Sequence, residues 1–448
     1  MPTVPRPNGD APLQLVWFRR DLRVDDNPAL AAAAKRGPVA CCFVLDPRIF
    51  RGPGAAAVRV RFMLEGLADL ERSLRTLGGG LHLRQGPSER ELAKLAGELG
   101  AESVHACADD EPFARERDDR AGRILAEDGR GLVLHHDLTA VPHHELRTAA
   151  GTPFQRYSAY ARAARRHLAE HRPADLDLRG RLVKAERAEI PQPEAIRVRP
   201  QAANDLKGGE SAALAQLQAW ARDGLAAYGA RRDEIADPAA TSRLSAALKL
   251  GMLSPRRVTA AAVEAGSDAW LSELLWRDWF KYVLHHHADL ADRTLDPALE
   301  KLEWEDDDAA FEAWTRSETG FGLVDAGMRQ LAQTGEQPNR VRMVCASFLT
   351  KDLHLDWRRG ERWYREHLVD GDLSSNAGNW QWVAGTGVDA SPWFRVMSPL
   401  VQEQRFDPDG AYVERWAPHR PAPIVDHAAE RERALDRYRR ARRAATPR

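Results

Sequence analysis

Between residues 370 and 395 the chain reads DGDLSSNAGNWQWVAGTGVDASPWFR, its densest gathering of side chains able to hold a polar heteroaromatic ligand. Asp370 and Asp372 can accept hydrogen bonds from hydroxyls or exocyclic amines, and Asn376 can both donate to and accept from a ring edge. The same residue types also cap helices and build turns. A second gathering, YGARRD (228–233) followed by TSRLSAALKLGMLSPRR (241–257), places Thr241, Ser242 and Ser245 at the start of an apolar helix. With Arg232 and the backbone N–H groups of a helix N-terminus they can cradle phosphate, although Ser and Thr are also ordinary N-caps. Tryptophan is the third anomaly: 13 in all, eleven of them from Trp270 to Trp416. Core packing accounts for several, and a redox or stacking role is the sharper reading.

These residues need elements to position them. Short apolar runs at 13–18, 39–46, 81–86, 104–109 and 132–137 alternate with amphipathic stretches such as Val58 to Leu77 and Glu89 to Leu99. That alternation predicts a doubly wound α/β domain with a parallel sheet, whose strand ends offer a cofactor crevice. From Glu170 to Gly209 the chain becomes Pro- and charge-rich and loses its apolar period, as a long connection does. Beyond it helical periodicity dominates, over Ala212 to Tyr228, Leu271 to His285 and Arg340 to Leu355, so the second domain is predicted to be nearly all α. The expected division is an α/β domain over 11–138, a connection and linker over 139–209, a helical domain over 210–427 and a basic tail over 428–448. RERALDRYRRARR in that tail reads as a helix with a solvated face.

With 448 residues, 43% of them hydrophobic, the composition is that of a globular protein. Lys and Arg number 65 against 66 acids, so a nucleic-acid surface has to be a local patch. Cys41, Cys42, Cys107 and Cys345 show no zinc or disulfide spacing, which fits a reducing cytoplasm. The N-terminus lacks a leader pattern and no long apolar run is present, so neither secretion nor a membrane span is expected.

The chain resembles a class I photolyase of the photolyase and cryptochrome family. The likeness runs from VWFRRDLRVDDNPAL (16–30) to PIVDH (423–427), densest over TGFGLVDAGMRQL, NRVRMVCASFLTKDL, DWRRGERW, DGDLSSNAGNWQW and FDPDG. It implies a U-shaped FAD in the helical domain, its phosphates on Thr241, Ser242, Leu244 and Ser245 with Tyr228 and Arg232 nearby. Asp370, paired to Arg342, and Asp372 would bind its sugar and ring region, and Asn376 would face the flavin N5. Trp380, Trp357 and Trp304 match the family's electron-relaying chain. Glu273, Trp276, Asn339, Arg340, Met343 and Trp382 match the lesion-binding set. The logic of that set is base flipping, of which photolyases are a standard example: a damaged dinucleotide leaves the stack to reach the flavin. Asn339 and Met343 stand where (6-4) photolyases carry two histidines, which favours cyclobutane pyrimidine dimers in DNA as substrate.

The implied activity is that of a deoxyribodipyrimidine photo-lyase, a carbon–carbon lyase driven by light through reduced FAD, in a monomer. The alternative is a cryptochrome-type photoreceptor without repair activity; Asn376, the lesion set and the short stretch of 22 residues after Asp426 weigh against it. ADDEPFARERD (108–118) resembles relatives that bind 8-hydroxy-5-deazaflavin more than those that bind methenyltetrahydrofolate, with Asp109 and Glu111 as the implied antenna contacts. Two stretches depart from the family. EQPNR puts Glu336, Gln337 and Pro338 in a usually WMHNR-like segment, and a free carboxylate there would repel phosphate. MSP (397–399) replaces an FNP-like turn. Histidines 135–136, 143–144 and 285–287 are adjacent within each run, cannot converge on one ion from a single helix or strand, and are read as structural, with no metal expected.

Overall fold

A computed structural model describes residues 11–52, 55–198 and 202–445. The reading of the N-terminus as leaderless falls largely on residues 1–10, outside the described residues. Five strands, β1 Gln14–Phe18, β2 Val39–Leu45, β3 Leu81–Gln85, β4 Ser103–Cys107 and β5 Gly131–His135, form one parallel sheet in the order β3-β2-β1-β4-β5. All three inner strands are buried along their whole length, which is why they read as mostly apolar runs, with Gln14, Ser103 and His105 as buried polar exceptions. Their side chains alternate between faces. Val16, Phe18, Cys41 and Phe43 join the large core shared with the helical domain, while Leu15, Trp17, Cys42 and Val44 pack with Leu92, Leu95 and Leu125 on the other side.

Strand order reverses between β1 and β4, so the crevice expected of a doubly wound sheet lies beyond their carboxyl ends. That crevice is closed. Arg19 and Arg20 after β1 meet Asp109 after β4 and Lys249 from the helical domain, around a cavity of only about 20 Å³. Guanidinium groups there tie the two parts together, Arg20 pairing with Asp109, Glu111 and Asp372.

Residues 170–209 contain a single 3₁₀ turn at Pro193–Ile196 among those described, yet they are docked. Val39 and Leu182 form a parallel bridge beside β2, and Arg51 donates to the Ile196 carbonyl at 2.7 and 3.0 Å. The expected helix from Ala212 to Tyr228 is instead Glu210–Asp223, a 3₁₀ turn, and a separate helix Tyr228–Arg231. The break falls at Gly224, where a Cβ would meet the Trp220 ring at 2.2 Å. The expected helix from Arg340 to Leu355 begins as Asn339–Ser347 and widens to a π-helix over Phe348–Asp352.

The tail forms the helix His427–Ala445, which keeps the expected solvated face and in addition docks through its other side. Ala434, Leu435 and Tyr438 are buried as one stripe, Tyr438 Oη donates to the Ala384 carbonyl at 2.6 Å, and His427 Nδ1 lies 2.5 Å from Asp352. Charge density hid a narrow apolar face. Among the described residues no helix is long and apolar enough to cross a membrane, and all four cysteines are buried and free.

Candidate functional site

A cavity of about 840 Å³ opens in the helical domain, in the size range of about 300–1,000 Å³ usual for cofactor sites. The predicted phosphate residues Tyr228, Arg232, Thr241, Ser242, Leu244 and Ser245 line one part of it. Asp370, Asp372, Asn376, Arg342 and Trp380 line another, and Glu273, Trp276, Asn339, Met343 and Trp382 stand on its wall. Residues more than a hundred positions apart thus share one chamber.

The helix expected to offer phosphate its N-terminus is short, Ser245–Lys249, only five residues. One turn of helix carries little macrodipole, so the hydroxyls and local N–H groups have to do most of the work. Arg232 donates to Glu273 at 2.6 Å and stacks over Tyr228, which links the predicted phosphate set to the predicted lesion set.

Asp370 is held by Arg342 at 3.1 and 3.2 Å. Asp372 is the N-cap of Leu373–Ala384, accepting from the Ser375 N–H at 3.1 Å, so the capping role weighed for it is realised. Its other oxygen accepts from Arg20 and from Lys281 Nζ at 3.0 Å. Burial alone would raise its pKa, but Lys281, Lys249 and Arg20 together hold the carboxyl well below its ordinary range. A carboxylate so engaged orients the cavity wall more than it offers free lone pairs.

Asn376, 9% exposed, donates both amide hydrogens to Glu361, at 2.8 Å to the carbonyl and 3.0 Å to the carboxyl. Its Oδ1 is thereby left as the acceptor on the cavity side, where either polarity was open from sequence. Glu361 is 1% exposed, and burial raises its pKa.

Trp380 lines the cavity, 3% exposed, with Tyr364 at 5.2 Å and Trp314 at 6.2 Å between ring centroids. Trp357 is fully buried one helix away, and Trp304 is half-buried near the surface. Neither of the latter two lines the cavity. Gly360, in the Trp357–His367 helix, lets that helix approach Trp380, since a Cβ there would sit 2.2 Å from the indole.

Glu273 and Trp276 share one face of Asp268–His286. Trp276 stacks on Tyr157 with ring centroids 3.7 Å apart and planes 11° from parallel. Arg340 does not line the cavity; it pairs with Asp233 at 2.9 Å and lies over Phe406. Glu336 is not a free carboxylate. It takes a two-pronged ion pair from Arg243, whose guanidinium also holds Asp205, while Gln337 turns inward to accept from Tyr364 Oη at 2.7 Å.

Asp109 borders the small cavity of about 20 Å³ beyond β1 and β4, and the carboxylates of Asp109 and Glu111 are taken up by cations. Arg20 binds both, at 3.2 and 2.5 Å, and Lys249 adds a contact to Glu111 at 3.1 Å. Burial opposes ionisation of Glu111, yet Lys249 and Arg20 bring its pKa down to about 2.

Sequence reasoning missed Tyr157, Glu361, Arg20 and Lys281 at this site. Glu361 lay within DWRRGERW without a role, and Tyr157 within the stretch read as connection. Nothing local marks either, because each acts on a partner distant in sequence.

Residues 14–177 match the family model described as DNA photolyase, and residues 270–420 match the FAD binding domain of DNA photolyase. A deoxyribodipyrimidine photo-lyase of Agrobacterium fabrum is 36% identical over 95% of this chain and 97% of its own. A bacterial class III photolyase from Agrobacterium tumefaciens superposes with a TM-score of 0.88 at 34% identity, covering 97% of this chain and 99% of that one. An archaeal photolyase from Sulfolobus tokodaii solved with two FAD molecules gives 0.84 at 27%, covering 96% and 100%. A Synechocystis cryptochrome gives 0.86 at 27%, again covering 96% and 100%. The chain, with its five-stranded parallel sheet, helical second domain and a match to the FAD-binding model over residues 270–420 that supply most of the cavity wall, therefore belongs to the DNA photolyase family.

Proposed function

We propose that the protein is a deoxyribodipyrimidine photo-lyase that holds FAD in the helical-domain cavity and splits cyclobutane pyrimidine dimers in DNA under blue or near-UV light. The observation carrying this reading is the convergence on one chamber of Asn376, with its amide hydrogens tied to Glu361, and the set Glu273, Trp276, Asn339 and Trp382. The chamber suits FAD in size and in chemistry. It pairs a polar end built from Thr241, Ser242 and Ser245 with an interior where Asn376 Oδ1 can accept a ring N–H. When bound and reduced, FAD would supply the photoexcited electron that opens the dimer's two cyclobutane C–C bonds and then returns, with no net redox change.

The chain's own residues do the rest. Asp370, fixed by Arg342, would hold the sugar and ring region. Trp276 and Trp382 would form an apolar slot for the flipped pyrimidines, and Glu273 and Asn339 would hydrogen-bond their polar edges. Trp380, Trp357 and Trp304 would carry electrons from the surface to the flavin in short steps.

Within the family the motifs support class I, whereas the likeness to a class III enzyme weighs against it, so we propose the activity and not the subclass. The fold is shared with a cryptochrome, and the lesion set is what favours repair over signalling. A deazaflavin antenna gains no support from Asp109 and Glu111, whose carboxylates are taken up by Arg20 and Lys249. The buried free thiols accord with a reducing cytoplasm.

The test is to irradiate the reduced, flavin-loaded protein with an oligonucleotide containing one cyclobutane dimer, against a dark control. Light-dependent appearance of monomer pyrimidines is expected. Dimer bound beside reduced flavin with no splitting in light would overturn the reading.

A further inference from the structure

The adjacent histidines, which cannot share an ion within one run, meet across runs. Asp110 follows β4, His143 lies in the 3₁₀ turn His143–Glu145 of the connection, and His285 is near the end of Asp268–His286. Their side chains converge: His143 Nε2 is 3.1 Å from Asp110 Oδ2, and His285 Nδ1 is 2.9 Å from Asp110 Oδ1. One donor atom from each residue lies within 4.8 Å of the others. His143 is buried and Asp110 and His285 are partly so, which sets this group apart from surface acids.

We infer that Asp110, His143 and His285 form a binding site for a divalent transition metal of the zinc type, joining the α/β domain, the connection and the helical domain. Two imidazole nitrogens and one carboxylate are a zinc-type donor set, and three protein ligands leave a fourth position for water. With bonds of about 2.0–2.1 Å, donors around a tetrahedral ion stand about 3.3 Å apart. The two imidazoles stand 3.1 and 2.9 Å from different oxygens of Asp110, with all three donors within 4.8 Å of one another, so small shifts of the rings and the carboxylate bring them onto one ion.

A cation already sits on these donors. Arg115 Nη2 donates to Asp110 Oδ1 at 2.8 Å and to the His285 carbonyl at 3.1 Å, so it occupies one of the three ligand atoms and lies beside a second. His285 Nδ1 itself donates to the Asp110 carboxylate at 2.9 Å, so a metal would take the place of that proton. Arg115 is exposed enough, at 39% of its side chain, to swing into solvent when a stronger cation arrives. It is the competitor that the metal has to displace.

The experiment titrates Zn²⁺ alone into the full-length, flavin-loaded protein and follows binding by calorimetry, with folding of every variant checked by circular dichroism. Wild-type protein is expected to bind a single equivalent. H143Q and H285Q should each weaken it by about tenfold or more. R115Q should strengthen binding severalfold because it removes the competing cation. H167Q, in the exposed Glu145, His167 and Glu170 group, should leave the tight equivalent unchanged. His285 ends its helix and is partly exposed, so H285Q keeps the test available if H143Q fails to fold. Absence of binding at hundreds of micromolar zinc, retention of wild-type affinity in H285Q, or weaker binding in R115Q would each overturn the assignment and leave a hydrogen-bonded clasp between the domains.

Discussion

Replacing Glu336 by Gln should tighten DNA binding. Arg243 stands at the rim of the cavity and gives Glu336 two contacts, 3.1 Å from Nε and 2.6 Å from Nη2, while its Nη1 reaches Asp205 at 3.2 Å. A phosphate that docks on this arginine has to break or share that pair. The side chains of Arg243 and Glu336 are 25% and 21% exposed, so solvent screens the pair and its worth is about 0.5–1 kcal/mol. In E336Q that cost falls away and only the exposed Asp205 still pairs with Arg243, so the dissociation constant should drop by at most roughly two- to fivefold. If the freed guanidinium takes up one phosphate, the slope of log K against log salt should steepen by about 0.7–0.9. Phosphate contacts carry no base information, so dimer-containing and undamaged oligonucleotides should gain equally. Fluorescence anisotropy with both oligonucleotides at four salt concentrations reads all three quantities. Unchanged affinity together with an unchanged salt slope would show that Arg243 is not masked by Glu336. A gain confined to the damaged strand would show that Glu336 acts on the lesion itself.

Other expectations follow from single contacts. G360A places a methyl group 2.2 Å from the Trp380 indole, so it should cost about 1–3 kcal/mol in denaturant unfolding and slow photoreduction of the bound flavin. E361A removes the carboxyl bond to the Asn376 amide, leaving only the one to the backbone carbonyl, and should lower the yield of dimer splitting with flavin content of the purified protein unchanged; loss of flavin would instead mark Glu361 as a folding residue. Glu111 has its pKa lowered from 4.5 to about 2, so its stabilising contribution is complete above pH 4.5 and is lost as pH falls towards 2. The melting temperature should therefore drop between pH 6 and pH 3, and drop less in E111Q; equal drops in both proteins would contradict this.

Local pattern alone carried the two-part architecture. The parallel sheet was legible because its inner strands are buried on both faces and so read as mostly apolar runs between amphipathic stretches. The helical character of the second part was legible in its periodicity, although the break at Gly224 was not, since it depends on where the Trp220 ring lies. Motifs likewise marked Asp370, Asn376 and the tryptophans as candidates. What no spacing disclosed was which polar group each candidate would meet. Asn376 is oriented by Glu361, Asp372 is shared with Arg20 some 350 residues earlier, Glu336 is neutralised by Arg243, and Asp110 draws together two histidines from separate runs. Propensity and amphipathicity act over a few residues of chain and are written into it. Charge pairing and hydrogen bonding act over a few ångströms of space, and only tertiary packing decides which residues come that close.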